Sequence, residues 1–309
     1  MSDVSSANRL RVVAALGGNA LLRRGEPAEA GRQLERIRQA VASLATVAQR
    51  HDLILTHGNG PQVGLLALQQ AAYPDIAPYP LDFLGAETQG MIGYPLAQAL
   101  RSRLPERETA VLLTQVVVDE GDPAFQCPSK PVGPVYSEEE AKRLAAERGW
   151  RVASDGRYYR RVVPSPQPRE IVEIDVICQL VESGTLVVCA GGGGIPVVRS
   201  DDGLSGVEAV IDKDLTAALL ACELGADVLL ILTDVPYVES GWGTDEATPI
   251  RETTAEELRR LGFASGSMGP KVEAACRFAE WGGRAAIGLL SEAARLVDGD
   301  AGTQIRKSR

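Results

Sequence analysis

Histidine is almost absent: His51 and His57 are the only two in 309 residues. A histidine-based triad or a multi-histidine metal site therefore has little to draw on. Cysteine is scarce and unpaired. Cys127, Cys178, Cys189, Cys222 and Cys276 are odd in number, scattered, and never spaced as CxxC. That fits buried free thiols in a reducing compartment better than a disulfide framework. Long apolar runs are lacking too, because glycine, proline or charge interrupts each one, as Glu223 and Asp227 do. No segment reads as a bilayer span. The N-terminus shows no basic-then-apolar signal pattern, so the expectation is a cytoplasmic protein without membrane contact. Basic excess is also missing: Lys+Arg 32 against Asp+Glu 41 gives a net charge of −9. This argues against general nucleic-acid binding, which wants a basic face. An anionic substrate stays open, provided that a pocket concentrates a few cations.

What is present is an ordinary globular composition, 45% hydrophobic and 24% charged. The length suits one large α/β domain or two coupled lobes and needs no disulfide or metal staple. Residues 10–16 read as a strand ending in Gly17-Gly18-Asn19. An amphipathic helix follows over 29–50, with Leu34, Ile37, Val41 and Leu44 at helical spacing. Residues 53–56 read as a buried strand ending in the turn His57-Gly58-Asn59-Gly60. Helices are expected over 62–72 and 83–104, with Pro95 kinking or splitting the second. Residues 111–118 form another β-rich run. After residue 169 a helix over 169–182 precedes a strand over 185–190, which ends in four glycines, 191–194. Asp212-Lys213-Asp214 opens a helix to about 224, and 227–232 is a strand ending in Thr233-Asp234. Helices over 254–261 and 270–281 and a strand over 284–290 complete the alternation. Strand–helix alternation of this kind implies a mostly parallel sheet covered on both faces.

Residues 120–169 break the pattern. They hold seven prolines, among them Pro128 and Pro131 on either side of Lys130. Ser137 and Glu140 have capping-box spacing, Gly149 suits a helix end, and Asp155-Gly156 reads as a hairpin turn. The segment reads as an inserted subdomain. Its arginines, Arg151, Arg157, Arg160 and Arg161, read best as a solvated surface.

Three strand ends thus carry glycine turns. Ligands bind at the carboxyl ends of strands in open α/β sheets, and glycines there let backbone N–H groups approach an anion. Each turn alone could be merely tight; three on core strands favour a shared anion site. A dinucleotide site is the competitor, but no acidic residue closes a following strand about twenty residues on. Residues 195–198 after the four glycines also look extended rather than helical. Lys213 opposes the dipole of the helix it opens, and Lys271 repeats the situation after Gly269-Pro270. Each could neutralise an anion or be an ordinary surface lysine. Lys130 could be a lid residue or a solvated loop lysine.

The stretches ALGGNAL (15–21), THGNGPQVG (56–64), TQVVVD (114–119), SKPVGP (129–134), AGGGGIPVV (190–198), AVIDKDL (209–215) and GSMGPKVEAA (266–275) resemble the carbamate kinase family of the amino-acid kinase superfamily. They occur in family order over nearly the whole chain. The resemblance implies a three-layer α/β/α sandwich with a mostly parallel central sheet and a small protruding subdomain. It implies one amino-acid kinase domain over 1–309. A carbamate-binding lobe would take 10–119 plus 170–200, a lid 120–169, and a nucleotide-binding lobe 201–309. The reaction implied is ATP + carbamate ⇌ ADP + carbamoyl phosphate, in arginine or other carbamoyl phosphate catabolism, by a homodimer. Mg²⁺ would be held mainly by the nucleotide phosphates. Lys130, Lys213 and Lys271 would surround the transferred phosphoryl group, with Asp214 orienting the lysines. Gly17, Gly18, Asn19, Gly58, Asn59, Gly60, Gly192 and Gly193 would line the substrate site. Thr233, Asp234, Val235, Tyr237, Ser267, Met268 and Pro270, with Lys213 and Lys271, would flank the nucleotide. Asp234 stands where some relatives carry glycine. A kinase for another small carboxylate, or an inactive ligand-binding relative, are the alternative readings.

Overall fold

The computed structural model describes residues 9–22, 26, 29–73, 75–244, 246–263 and 268–308, leaving out the side chain of Asn19. Ser267 lies outside the described residues. The first half carries strands β1 (Arg11–Leu16), β2 (Asp52–His57), β3 (Thr109–Val111), β4 (Gln115–Val118), β5 (Lys130–Tyr136), β6 (Arg151–Asp155), β7 (Tyr158–Val163) and β8 (Pro168–Ile171). Its helices are α1 (Gly18–Leu21), α2 (Ala30–Arg50), α3 (Gly60–Ala71), α4 (Leu81–Arg103) and α5 (Glu138–Arg148). The second half carries β9 (Leu186–Val188), β10 (Ile195–Ser200), β11 (Gly203–Gly206), β12 (Val228–Thr233), β13 (Val238–Ser240), β14 (Thr248–Ile250), β15 (Glu252–Thr254), β16 (Arg284–Leu289) and β17 (Thr303–Arg306). Its helices are α6 (Ile174–Glu182), α7 (Lys213–Glu223), α8 (Ala255–Arg260), α9 (Met268–Trp281) and α10 (Ala293–Asp298).

Eight strands form the central sheet in the order β15-β17-β16-β12-β1-β2-β9-β3. Pairing is parallel from β16 through to β3, and β17 runs antiparallel to β16. Both faces are apolar. Along β1, Val12, Ala14 and Leu16 join a cluster with α2, α4 and α10. Val13 and Ala15 join the opposite cluster with α6, α7, α8 and α9. This is the three-layer α/β/α arrangement that continuous β-branched strands demand.

The position of the site follows from connectivity. The chain leaves β1 to α2 on one face and leaves β12 to α8 and α9 on the other. β1 and β12 are neighbours, in register from Val12 beside Val228 to Leu16 beside Leu232. Connections that diverge from adjacent parallel strands open a crevice at their carboxyl ends. Gly17 closes one side of that crevice, its N–H donating to the Leu232 carbonyl at 3.1 Å.

Several sequence expectations need correction. α4 runs unbroken from Leu81 to Arg103 through Pro95, so of the expected kink or split the split does not occur. The run 111–118 is two strands in different sheets, because Thr114 turns the chain between them. β3 pairs with β9 in the central sheet, and β4 pairs with β10 and β8 in a second one. Residues 169–171 are strand rather than helix, since antiparallel pairing with β4 satisfies their backbone. α1, β5, β11, β13, β14, β15, β17 and α10 were not anticipated.

The inserted segment forms its own sheet, β5-β7-β6, with α5 against it; the helix and the β6-β7 hairpin match the sequence reading, and β5 is added. Ser137 Oγ accepts from the Glu140 N–H at 3.2 Å. Gly149 ends the helix at φ 65°. The insert docks on the body through β5 and α3 at one tight point. A Cβ on Gly64 would lie 2.2 Å from Gly133 Cα, so the two backbones meet where no side chain fits. Gly64→Ala should therefore push the insert off α3, at a cost of about 1–3 kcal/mol for overpacking. Limited proteolysis should show earlier cleavage within 120–169; an unchanged digestion pattern would contradict the contact.

Candidate active site

Residues 212–214 are where helix capping and the lysine cluster coincide. Asp212 is the N-cap of α7: its Oδ1 accepts from the Asp214 N–H at 2.9 Å. Its other oxygen, Oδ2, accepts from Nζ of Lys130 on β5, so one carboxylate both starts the helix and anchors the insert. Asp214, in the first turn, receives Lys213 Nζ on Oδ1 and Lys271 Nζ, from α9, on Oδ2 at 2.9 Å. The Asp214 side chain is 3% exposed and that of Lys213 11%. Lys213 is thus no surface lysine, and the two-carboxylate, three-lysine cluster joins insert, α7 and α9.

The electrostatics follow from burial and pairing. Burial alone would raise the Asp214 pKa, but the ammonium groups of Lys213 and Lys271 overcome it and hold it at about 2. For Lys271 burial works downwards and is outweighed by Asp214, so its pKa lies above the usual lysine value. For Lys213 burial wins, assisted by the neighbouring charge of Lys271, and its pKa is lowered. Lys213 is therefore the cation that gains most from an arriving anion.

A cleft of about 520 Å³ opens beside this cluster, lined by Gly17, Gly18, Lys213, Thr233, Asp234 and Lys271 and bounded by α2 and the end of β16. The turn at Gly58 closes its floor: a Cβ there would lie 3.0 Å from Gly18 N and 3.3 Å from Lys213 Cδ. The glycine turns of β1 and β2 therefore lie against each other and against Lys213. Gly192 and Gly193 are placed differently. They are buried behind the cleft, where a Cβ would strike Asn59 Nδ2 at 2.0 Å and the Ile211 carbonyl at 2.5 Å. The Asn59 side chain is likewise turned inwards, its Nδ2 donating to Thr88 Oγ1 at 2.8 Å. Val235, Met268 and Pro270 are partly buried outside the cleft lining, and Tyr237 lies under the Arg251 guanidinium at 5.1 Å from its ring centre.

Sequence reading missed the polar scaffold under the turns. Ala190, at φ 50°, is the only non-glycine with positive φ among the described residues. Two threonines hold it there: Thr56 Oγ1 donates to its carbonyl at 2.8 Å, and Thr114 Oγ1 accepts from its N–H at 2.9 Å. Thr114 is itself gripped at N and O by the Gln89 amide at 2.8 and 3.1 Å, and Thr216 Oγ1 donates to the Gly193 carbonyl at 2.9 Å. Such over-determination is what sustains backbone strain. These partners are 23 to 134 residues apart in sequence, so no local pattern reveals them. Asp212 was legible as a cap but not as the partner of Lys130.

Among the described residues no group of three or more His, Cys, Asp or Glu side chains is arranged to hold a metal. No helix among them is long and apolar enough to cross a membrane.

A glycine-lined crevice at a sheet switch point, with clustered lysines around buried aspartates, is a site for polyanions. Comparison with known proteins narrows it. The model of the amino acid kinase family matches residues 10–287. A carbamate kinase of Haemophilus influenzae is 54% identical over 301 residues, covering 96% of this chain and 97% of its own. One of Pyrococcus furiosus is 48% identical, covering 96% and 98%. Among solved structures, the carbamate kinase of Giardia lamblia bound to citric acid superposes with a TM-score of 0.92 at 41% identity, covering 97% of this chain and 99% of that one. The same enzyme bound to AMP-PNP gives 0.89 at 40%, with the same coverage. The chain belongs to the amino acid kinase family, and within it to the carbamate kinases.

His57 offers a pH test of the scaffold. Its ring is buried, and a Cβ on Gly191 would lie 2.4 Å from its Nε2. Burial, with Lys213 assisting against a hydrogen bond to the Gly58 carbonyl, lowers its pKa to about 4. Below the unfolded value of about 6.5 the unfolded chain takes up a proton that the folded site refuses. Stability should therefore fall as pH drops from about 6.5 to about 4, with His57 contributing roughly 3 kcal/mol of that loss. Urea denaturation of wild type and His57→Asn across this range should show a flatter curve for the variant. Parallel curves would mean that the folded site accepts the proton.

Proposed function

We propose that the protein transfers the γ-phosphoryl group of ATP reversibly to carbamate, giving ADP and carbamoyl phosphate. The observation that carries this reading is the Lys213–Asp214–Lys271 cluster at the switch-point cleft, with Lys130 delivered beside it on Asp212. The lobe of residues 10–119 and 170–200 takes carbamate, residues 201–309 take the nucleotide, and 120–169 act as a lid. Thr233, Asp234 and the start of α9 flank the nucleotide, and the turns at Gly17 and Gly58 face the transferred group.

The chemistry follows from charge. Carbamate is already an anionic oxygen nucleophile, so its attack on phosphorus needs no general base. The P–O bond to ADP breaks as the new one forms, and negative charge spreads over the phosphoryl oxygens. The barrier lies in bringing two anions together. Lys213 and Lys271 neutralise the charge, backbone N–H groups of the glycine turns orient the group, and the lid brings Lys130 and excludes water. Asp214 stays ionised throughout the working range and fixes both lysines. Mg²⁺ would supply further neutralisation when bound. Both Asp214 oxygens carry lysines and those of Asp212 carry Lys130 and the helix cap, which fits an ion held mainly by the nucleotide phosphates. The same family reading implies carbamoyl phosphate catabolism, arginine breakdown included, in the cytoplasm. It also implies a homodimer, supported by the exposed Phe83, Met91 and Tyr94 on one side of α4; sedimentation equilibrium reads the assembly directly.

A coupled assay offering carbamate, acetate and acetylglutamate tests the reaction: carbamate should be the preferred acceptor. Lys213→Ala should lower kcat at least about a hundredfold while the chain stays folded, because Asp214 keeps Lys271. A folded variant with near-normal turnover would remove Lys213 from the mechanism.

A further inference from the structure

Gln62 is 2% exposed, and both its Nε2 and its Oε1 are buried without a hydrogen-bond partner. It is the only side chain among the described residues with two such atoms. Buried amides are almost always satisfied, so a doubly orphaned one points to a missing partner. Its surroundings say which. Gln62 lies in the first turn of the 12-residue helix α3, whose N-cap, Asn59, makes no side-chain cap because its amide serves Thr88. Uncapped first-turn N–H groups favour a negative charge. Pro61, the preceding residue, lines the cleft, and Gly58 stands against Lys213 and Gly18. Two residues further on, Gly64 meets Gly133 of the insert. Along α3, Gln62 thus stands between Pro61 of the cleft lining and Gly64, which meets the lid strand that carries Lys130.

We infer that Gln62 recognises the carbamoyl end of the substrate and sets its specificity. This rests on the carbamate reading given above. A carboxamide is the hydrogen-bond complement of H₂N–C=O: Nε2–H donates to the carbonyl oxygen, and Oε1 accepts from the amino group. An acyl group with methyl in place of the amino group leaves Oε1 buried and unpaired. A site built to bind an N–H rejects an analogue lacking it for that reason.

The test is ATP formation from ADP with carbamoyl phosphate or acetyl phosphate as donor, in wild type and in Gln62→Met. The variant keeps the length of the side chain and removes both polar atoms. Its kcat/KM for carbamoyl phosphate should fall about ten- to a hundredfold, chiefly through KM, while that for acetyl phosphate changes much less. Without ligand, its melting temperature should equal or exceed that of wild type, because an unsatisfied buried amide has been removed. Equal losses on both donors, or no loss, would overturn the assignment. So would a variant that fails to fold, since the amide would then be structural. If wild type makes no ATP from carbamoyl phosphate, the reaction itself is misread, and the assignment falls with it, whatever the variant does.

Discussion

Asp214 is a buried carboxylate shared between two ammonium groups, and the active end of the molecule is arranged around it. Desolvating such a group is costly, so its presence needs compensation on every side. Lys213 and Lys271 occupy its two oxygens, and the N-terminus of α7, begun by the Asp212 cap, adds its dipole. Removing both lysines would leave an uncompensated buried charge at a cost of about 3–5 kcal/mol; with one removed, the other still pairs with Asp214. The same arrangement that is expensive for stability keeps positive charge fixed beside a cleft before substrate arrives. Charge fixed in this way is the electrostatic preorganisation on which the proposed phosphoryl transfer would draw.

The rest of the fold serves this constraint. β1 and β12 diverge to opposite helical layers and open the crevice, and α7 and α9 bring Lys213, Asp214 and Lys271 to its edge. The threonine-held Ala190 and the glycine turn after it pack against Asn59 and Ile211, fixing the wall behind the cleft. The insert reaches the lysine cluster through the ion pair of Lys130 with Asp212 and is seated on the body by the contact of Gly64 with Gly133 and by Val132 and Val163 packing with Val63, Leu81 and Leu84.

Much of this was legible in the sequence, for a physical reason. Buried parallel strands are continuous apolar runs, and α2 repeats its buried residues at 37, 41, 44 and 48; both signals are local. Lys213 and Lys271 stood out because a cation at a helix start is anomalous, whereas their joint role with Lys130 was implied only by the family resemblance. What escaped was non-local. Residues 111–118 read as one strand because hydrophobicity does not record that Thr114 bonds to Gln89 and Ala190. Residues 169–171 were absorbed into the following helix because antiparallel pairing with β4 leaves no trace in three residues. β15 and β17 are short and rich in polar residues, and they become strands through pairing at the sheet edge. Gly192 and Gly193, read from the resemblance as lining the substrate site, pack against Asn59 and Ile211, contacts that no local pattern records.

The central claim is that Asp214 acts by holding cations and takes no proton from substrate. The most direct measurement is the pH–rate profile of ATP formation from carbamoyl phosphate and ADP, in wild type and Asp214→Asn. Since the Asp214 pKa is held at about 2, wild type should show no acidic limb belonging to it. The variant should turn over at least about a hundredfold more slowly, with a profile of unchanged shape and ADP binding retained. An ionisation in the wild-type profile that disappears in Asp214→Asn would contradict the account and make Asp214 a general base.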